Sequence, residues 1–314
     1  MFAKLPNASN KPNSAKINKI NRLAILLLTL LLLCSQLPLL ITTFVPLSNQ
    51  GKVQSQLYVP ATASAARPAP LLVILGGSEG GMGMTSARRA ADRQAYLDAG
   101  FALLVVGYFG LPGIPSGLDR IELSGVLDVI EITRSNPAVD AENLSVLGVS
   151  KGAELAFLLA SRLAQISTVV AVVGSEVVFG SPEWYSTSSS WSWQGHSMPF
   201  VPFSWRSAIP LMQGNFRQGH EIAMQNQQAY QQALIPVQQM QANVLFVSGT
   251  ADELWPSSEM SDRMMERLQQ HQYQYRYQHL KIANGGHGGL VREYQPQIIE
   301  FLRQSQIPAV RLTD

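Results

Sequence analysis

The sequence predicts an α/β protein whose mostly parallel sheet is covered by helices on both faces. Short continuous apolar runs recur along the chain, helix-like segments separate them, and several runs end in glycine. Such runs are typical of strands buried on both sides, and strands that alternate with helices are typical of parallel sheets. At 314 residues, 46% hydrophobic and 14% charged, the chain is large and apolar enough to bury a full core.

The predicted elements alternate after residues 52–60, which have the pattern of a half-buried strand. Further strands are predicted at 70–77, 101–110, 144–150, 167–174, 243–250 and 273–282, and helices at 86–100, 121–133 and 151–164. Residues 181–220, rich in Ser, Trp and Pro, fit no regular period. We expect them to form an insertion over the edge of the sheet, within a catalytic domain that spans 52–306.

The N-terminal region predicts a membrane anchor. Residues 1–22 contain five basic residues and no acidic one, and no charged residue occurs from Leu23 to Gln50. This apolar run is long enough to cross a bilayer, and the positive-inside rule keeps the basic tail in the cytoplasm. We therefore predict a single-pass transmembrane signal anchor at 23–48 and an extracytoplasmic catalytic domain. A cleaved signal peptide and a lipid-modified Cys34 are the alternatives.

Composition excludes several classes of function. Five of the 23 basic residues lie in the tail, so the rest of the chain has fewer basic than acidic residues, of which there are 21. No basic face therefore suggests nucleic-acid binding. Cys34 is the single cysteine, which excludes an intramolecular disulfide and a cysteine zinc site. We expect no metal and no organic cofactor, and the oligomeric state stays open.

The stretch "VLGVSKGAE", residues 146–154, predicts a nucleophile at Ser150. A strand runs into a tight turn that glycines flank, and a helix follows at once, which is the order that a nucleophile elbow of the α/β-hydrolase fold needs. A second GxSxG match contains Ser78, but further glycines delay any helix after it and fewer strands precede it. We expect Ser78 N–H and Lys151 N–H to form the oxyanion hole, with Glu79 as the alternative to Ser78.

The predicted triad is completed by Asp252 and His287. Both follow strands, in the order Ser, Asp, His that this fold uses. Taken singly, these residues could be a helix N-cap, a helix cap and a plain loop, but all three in order at strand ends favour a triad. Glu253 is the alternative to Asp252.

Other candidate residues have weaker patterns. His196, His220, His271 and His279 have no partner pattern and are expected to be structural or at the surface, although His196 could line the pocket. The aromatic residues of the insertion form either a small core or the wall of an acyl-chain pocket; they are Trp191, Trp193, Phe200, Phe203 and Trp205.

Six ordered motifs give the chain a resemblance to a known family. They are "LLVILGGSEGG", "GYFGLPGIP", "LGVSKGAELA", "SWSWQGHSMPF", "SGTADELWPS" and "GGHGG". From about Leu57 to Leu302, the sequence resembles the catalytic domain of the acyl-CoA thioesterase and bile acid-CoA:amino acid N-acyltransferase family. This resemblance implies an α/β-hydrolase that forms an acyl-enzyme, with its triad on Ser150, Asp252 and His287.

Some features depart from that family. Its longer members carry an N-terminal β-sandwich where this chain has the predicted anchor. The resemblance implies Ser for the thioesterases and Cys for the transferases, so Ser150 favours hydrolysis. The predicted topology conflicts with coenzyme A thioesters, which are chiefly cytoplasmic, so either the substrate is another acyl ester or thioester, or the topology is wrong. A serine acyl hydrolase is the prediction; a carboxylesterase or peptidase, an N-acyltransferase and a membrane-tethered binding protein are the alternatives.

Overall fold

The structure is a computed structural model that describes residues 49–183 and 187–306. All described residues belong to one compact unit, Pro46–Asp314. The predicted tail and the anchor at 23–48 lie outside the described residues. Within the described part of the chain, no helix is long and apolar enough to cross a membrane.

The described residues contain a central seven-stranded sheet and a small three-stranded sheet. The strands are β1 (Gln54–Tyr58), β2 (Ala69–Leu75), β3 (Ala102–Gly107), β4 (Ile121–Glu122), β5 (Val139–Val149), β6 (Ile166–Val172), β7 (Trp191–Trp193), β8 (His196–Ser197), β9 (Asn243–Gly249) and β10 (Tyr277–Ile282). The central order is β1-β3-β2-β5-β6-β9-β10, in which β1 alone is antiparallel to its neighbour. Strand β5 therefore lies in the middle of the sheet.

The described helices alternate with the strands. They are α1 (Ala90–Asp98), α2 (Leu123–Arg134), α3 (Lys151–Ala160), α4 (Trp205–Met212), α5 (Phe216–Ala223), α6 (Gln227–Ala233), α7 (Ser257–Gln270), α8 (Leu290–Glu293) and α9 (Gln295–Ser305), with short 3-10 turns at Gly83–Thr85, Ala87–Arg89 and Val237–Gln239. Because helices lie between successive strands, they form the crossovers that a parallel sheet requires.

The sheet has a separate apolar core on each face, as the predicted strand pattern requires. In β2, Leu71 and Val73 pack on one face with residues of α2, α3 and α7. Leu72 and Ile74 point to the other face and pack with residues of α1 and α9. Because successive side chains of a strand point in opposite directions, a continuous apolar run serves both cores at once. The predicted α/β sheet with helices on both faces is confirmed.

The insertion differs from its prediction, because it contains regular structure. Helices α4 and α5 begin within residues 181–220, and α6 follows them. Their N-caps are polar: Ser204 Oγ, Asn215 Oδ1 and Asn226 Oδ1 each accept a bond from a backbone N–H in the first turn. The helices are short and α4 contains a proline, Pro210, so their apolar period is too brief to detect in the sequence. The polar capping residues, in contrast, were visible there.

Aromatic rings attach the insertion to the loop after β9. Phe179 stacks on Phe203 at 6.2 Å between centroids and on Trp255 at 5.7 Å. The imidazole of His220 in α5 meets all three rings edge-on, and its Nδ1–H donates to the carbonyl of Phe216 at 2.9 Å. Burial lowers the pKa of His220 from 6.5 to about 4. His220 is therefore a neutral structural residue of this cluster.

We predict that His220 makes the fold sensitive to acid. Between pH 6.5 and pH 4 the unfolded chain binds a proton at this position and the folded chain does not, so the stabilising contribution is complete above pH 6.5 and is lost as the pH falls toward 4. Replacing His220 by Gln should flatten this part of the stability profile, measured by urea unfolding from pH 7.5 to pH 4. The exposed His271→Gln is the control and should keep the wild-type slope; an unchanged slope in His220→Gln would contradict the prediction.

Candidate active site

Ser150 occupies a strained turn between β5 and α3. Its φ of 56° and ψ of −119° lie in a region that residues with a Cβ rarely adopt. A Cβ at Gly148 would lie 2.1 Å from the carbonyl oxygen of Gly152, and a Cβ at Gly152 would lie 2.3 Å from that of Gly76. Glycine is therefore required on both sides of the serine. Ser150 is the N-cap residue of α3, but its side chain makes no capping bond, so the hydroxyl stays available.

The structure brings the three predicted triad residues together. Ser150 Oγ lies 2.9 Å from His287 Nε2, and His287 Nδ1 lies 2.9 Å from both carboxylate oxygens of Asp252. If Nδ1 carries the proton and donates to Asp252, Nε2 is left as the acceptor for the serine hydroxyl. This arrangement orients the imidazole for proton transfer from Ser150.

Asp252 is buried and its carboxylate is held by several donors. Oδ1 accepts from the backbone N–H groups of Leu254 at 3.0 Å and Trp255 at 3.2 Å, and Oδ2 accepts from Ser257 Oγ at 2.5 Å. The neighbouring alternative, Glu253, accepts instead from the backbone N–H of His287 at 2.9 Å. Asp252 therefore orients the imidazole ring, and Glu253 holds the loop that carries it.

The predicted oxyanion donors lie beside the serine. A Cβ on Gly77 would lie 3.1 Å from Ser150 Cβ, so the early glycine-rich loop touches the elbow. The N–H of Gly77 is occupied by Glu79 Oε1 at 3.0 Å. Among the described residues, neither Ser78 N–H nor Lys151 N–H has an internal acceptor, and Glu79 N–H has none either. The choice between Ser78 and Glu79 therefore stays a prediction.

A buried ion pair lies directly behind the elbow. Lys151 Nζ is 3.0 Å from Glu154 Oε1 and also donates to the carbonyl of Phe179 at 3.1 Å, while Trp191 Nε1 donates to Glu154 Oε2 at 3.0 Å. Burial lowers the pKa of Lys151 and raises that of Glu154, and their mutual attraction opposes both shifts. The pair connects the first turn of α3 to the insertion through Trp191. This connection was not predicted from the sequence.

Ser150 and His287 open into a cavity of about 680 Å³. Its interior is mostly apolar, and the side chains that form this surface include Ile74, Met82, Met84, Val105, Leu147, Val172, Leu290 and Val291. Its rim carries Arg88, Arg89 and Arg292. Asp92 pairs with Arg89 at 2.6 Å and with Arg292 at 3.5 Å, whereas Arg88 is exposed and no acidic partner lies against it in the described residues. An apolar chain and an anionic group could both be accommodated here.

Several other predicted residues lie away from the cavity. His196 is exposed on β8 and does not line it, so the pocket role considered for this residue is wrong. Trp191 is buried in the main core, Trp193 and Phe200 pack against that core, and Phe203 packs in the aromatic cluster. These four residues are core rather than the wall of this cavity, and Trp205 is exposed.

A second Ser–His–Asp chain was not predicted. Ser248 Oγ in β9 lies 2.6 Å from His279 Nε2, and His279 Nδ1 lies 3.0 Å from Asp262 Oδ1. Ser248 is fully buried in a regular strand, and neither it nor His279 lines the cavity. Burial also lowers the pKa of His279. Within the described residues, no group of three or more His, Cys, Asp or Glu side chains is arranged to hold a metal ion.

Comparison with solved structures supports the fold. A putative α/β hydrolase from Agrobacterium tumefaciens superposes with a TM-score of 0.51 at 16% identity, over 81% of this chain and 91% of that one. An acylaminoacyl peptidase from Pyrococcus horikoshii superposes with a TM-score of 0.55 at 12% identity, over 81% of this chain and 39% of that one. At these identities the likeness concerns the fold alone, and the predicted α/β-hydrolase fold is confirmed.

Sequence comparison identifies relatives among acyl-coenzyme A thioesterases and acyl-coenzyme A amino acid N-acyltransferases. Acyl-coenzyme A thioesterase 1 of Mus musculus is 25% identical over 223 residues, which cover 71% of this chain and 49% of the relative. Acyl-coenzyme A amino acid N-acyltransferase 1 of Mus musculus has the same identity and the same coverage. Acyl-coenzyme A thioesterase 5 of Mus musculus is 27% identical over 224 residues, again 71% of this chain and 49% of the relative. The chain spans about half the length of these relatives.

The match to a family profile extends over more than half of the chain. The profile described as BAAT / acyl-CoA thioester hydrolase C terminal covers residues 126–305, which include Ser150, Asp252 and His287. The resemblance found in the six sequence motifs is thereby confirmed, and the chain belongs to the BAAT / acyl-CoA thioester hydrolase C-terminal family.

Proposed function

We propose that this protein is a membrane-anchored serine hydrolase that cleaves acyl thioesters through an acyl-enzyme on Ser150. The observation that carries the proposal is the imidazole of His287, which lies 2.9 Å from both the Ser150 hydroxyl and the Asp252 carboxylate. The family and the names of the thioesterase relatives support acyl thioesters as the substrate class.

The geometry supports a two-step mechanism. Ser150 Oγ attacks the acyl carbonyl carbon while His287 Nε2 takes its proton, and the N–H groups of Lys151 and of Ser78 or Glu79 stabilise the oxyanion. When the bond to the leaving group breaks, His287 delivers the proton to the leaving sulfur. Water then attacks the acyl-enzyme and gives a proton to His287, which returns it to Ser150 Oγ as the free acid departs.

Hydrolysis is favoured over transfer by the chemistry of the nucleophile. An oxygen ester on Ser150 reacts less readily with amines than a thioester on cysteine would, so activated water is the expected acceptor. A carboxylesterase or peptidase would use the same triad, and the fold occurs in peptidases such as that of Pyrococcus horikoshii. A binding protein without catalysis would not need the strained backbone at Ser150.

We predict that Ser150 carries the covalent chemistry. Ser150→Ala should abolish labelling by a fluorophosphonate probe and lower kcat by several orders of magnitude, because removal of a triad nucleophile has that effect. The assay is turnover on acyl-CoAs of graded chain length beside p-nitrophenyl esters, with glycine added and the products analysed by mass spectrometry. Free acid should be the main product.

Two other serines serve as matched controls for that experiment. Ser78→Ala keeps the backbone N–H, and Ser248→Ala removes the hydroxyl of the buried second Ser–His–Asp chain, so both variants should still be labelled. If either variant lost labelling while Ser150→Ala retained it, Ser150 would not be the nucleophile. Acyl-glycine as the main product would make the protein a transferase.

The arginines at the cavity rim support a leaving group that carries phosphate. Arg88, Arg89 and Arg292 line the cavity together with one acidic residue, Glu79. The buried Asp92 pairs with Arg89 and Arg292 but not with Arg88, so basic side chains exceed acidic ones around this part of the cavity. Arginine binds phosphate through fixed pairs of N–H donors. This arrangement fits an acyl thioester with an anionic leaving group, such as coenzyme A.

We predict that these arginines distinguish charged from uncharged leaving groups. The double variant Arg88→Ala and Arg292→Ala should lower kcat/KM for acyl-CoA by about tenfold, the loss expected for two modest charge-assisted contacts. The same acyl group on uncharged N-acetylcysteamine should be cleaved at the wild-type rate. The control Arg303→Ala removes an exposed arginine outside the cavity and should affect neither substrate. Equal losses on both thioesters would contradict this role.

The membrane arrangement is the remaining part of the proposal. It is supported by the basic residues of the tail and the uncharged run that follows them. This orientation implies an acyl donor available outside the cytoplasm.

We predict that a reporter active only outside the cytoplasm is active when fused after Asp314, and that high salt does not release the protein from membranes. The same fusion without residues 23–48 is the control and should be inactive. Activity of a cytoplasm-only reporter at that position would reverse the orientation and make cytoplasmic coenzyme A thioesters accessible.

A further inference from the structure

Helix α4 and the start of α5 present an exposed apolar stripe. The relative exposure is 76% for Trp205, 49% for Ile209, 88% for Met212 and 44% for Phe216. Spacings of four and three residues place Trp205, Ile209 and Met212 along one side of α4. Phe216 follows after a turn, at the start of α5. Of the large hydrophobic residues exposed in the described part of the chain, the only others are Ile132 and Tyr275. The stripe therefore contains four of the six large hydrophobic side chains that are exposed in the described residues.

The stripe lies on a firmly packed helical hairpin. A Cβ on Gly219 would lie 2.5 Å from the Leu211 side chain, so α4 and α5 pack closely against each other. Ser207 and Pro210 are buried on the side away from the stripe. Arg217 N–H donates to the carbonyl of Glu253 at 3.1 Å, and Arg217 Nη1 donates to that of Asp252 at 3.2 Å. The hairpin is thus held to the triad loop while its apolar side faces solvent.

The charges around the stripe fit a phosphate surface. No Asp or Glu occurs between Glu183 and Glu221, whereas Arg206 and Arg217 lie within this segment. Arg217 is paired with Glu221 at 2.9 Å and with Glu259 at 2.5 Å, so Arg206 is the cation available to a phosphate group. Arg206 is exposed beside Trp205. Tryptophan and other large apolar residues with a flanking arginine are typical of helices that lie in the interface of a bilayer.

The first described residues lie beside the insertion. The described part begins at Asn49, which directly follows the predicted anchor at 23–48 in the sequence. The carbonyl of Gln50 accepts from Glu122 N–H at 2.9 Å, and Glu122 Oε1 accepts from Gln194 N–H at 3.0 Å. These contacts place the start of the described part beside the turn between β7 and β8, which belongs to the insertion.

We infer that the stripe of Trp205, Ile209, Met212 and Phe216 docks the domain on the surface of the bilayer. The occupant is a lipid surface with phosphate headgroups, into which the four side chains insert beside Arg206. This inference goes beyond the proposed hydrolase activity and depends on the membrane part of that proposal only for the origin of the tether. Docking would hold the triad loop next to a source of acyl lipids.

The test uses the full chain reconstituted in phosphatidylcholine and phosphatidylglycerol vesicles, with or without brominated acyl chains. Bromolipid should quench a component of tryptophan emission that disappears in Trp205→Phe, and aqueous iodide should not quench that component. Met212→Glu should remove most of the bromolipid effect on Trp205. The matched control Ile132→Glu, at a residue that is 72% exposed outside the stripe, should leave it unchanged.

Three results would overturn docking. Iodide quenching of Trp205 without bromolipid quenching means that the stripe faces water. Protection from both quenchers means that protein covers the stripe: another copy if protection depends on protein concentration, or residues 23–47 if it does not. Circular dichroism of the same samples confirms that each variant is folded. Ser150→Ala should dock normally, so failure of the hydrolase proposal and failure of docking are separate results.

Discussion

The close approach of backbone at the elbow is the constraint on which the rest of the site depends. The start of α3 lies so near β2 and β5 that side chains at Gly148 and Gly152 would overlap carbonyl oxygens of neighbouring turns and strands. This proximity holds Ser150 at positive φ, a strain that only the surrounding packing can maintain. It also places the unpaired N–H of Lys151 and the early glycine-rich loop on the same side of the hydroxyl. The position of the serine and the proposed oxyanion donors beside it thus have one physical origin.

The buried pair of Lys151 and Glu154 extends that constraint to the insertion. Removing one partner would leave a buried charge without compensation, so the pair and the Trp191 N–H that completes it are expected to be retained together. The insertion is fixed again at the aromatic cluster around Trp255, whose ring lies 5.5 Å from that of His287. The segments that carry Ser150 and His287 are therefore each supported by contacts with the insertion, although neither residue lies in it.

The sequence was sufficient to predict the parts of the molecule that depend on local pattern. Continuous apolar runs indicate strands buried on both faces, and parallel strands place their carboxyl ends at one edge, which is why Ser150, Asp252 and His287 could be selected. Helices α4 to α6 were missed because each is too short for its apolar period to stand out. The Trp191 contact with Glu154 joins residues 37 positions apart, and no local pattern specifies such a bond.

The second Ser–His–Asp chain shows that a serine, a histidine and an aspartate in hydrogen-bond contact are not sufficient to make a nucleophile. Parallel pairing of β9 with β10 sets Ser248 opposite Lys281 and places His279, two residues earlier, on the same face; this register is not visible in the sequence. The resulting distances resemble those at Ser150, yet Ser248 lies inside a regular strand with no space for a substrate. Ser150 differs because its strand has ended: the chain turns, the hydroxyl faces a cavity, and free backbone N–H groups lie beside it. The position of Ser150 at the end of a central strand, and not the triad hydrogen bonds alone, therefore supplies the cavity and the N–H donors that the proposed reaction needs.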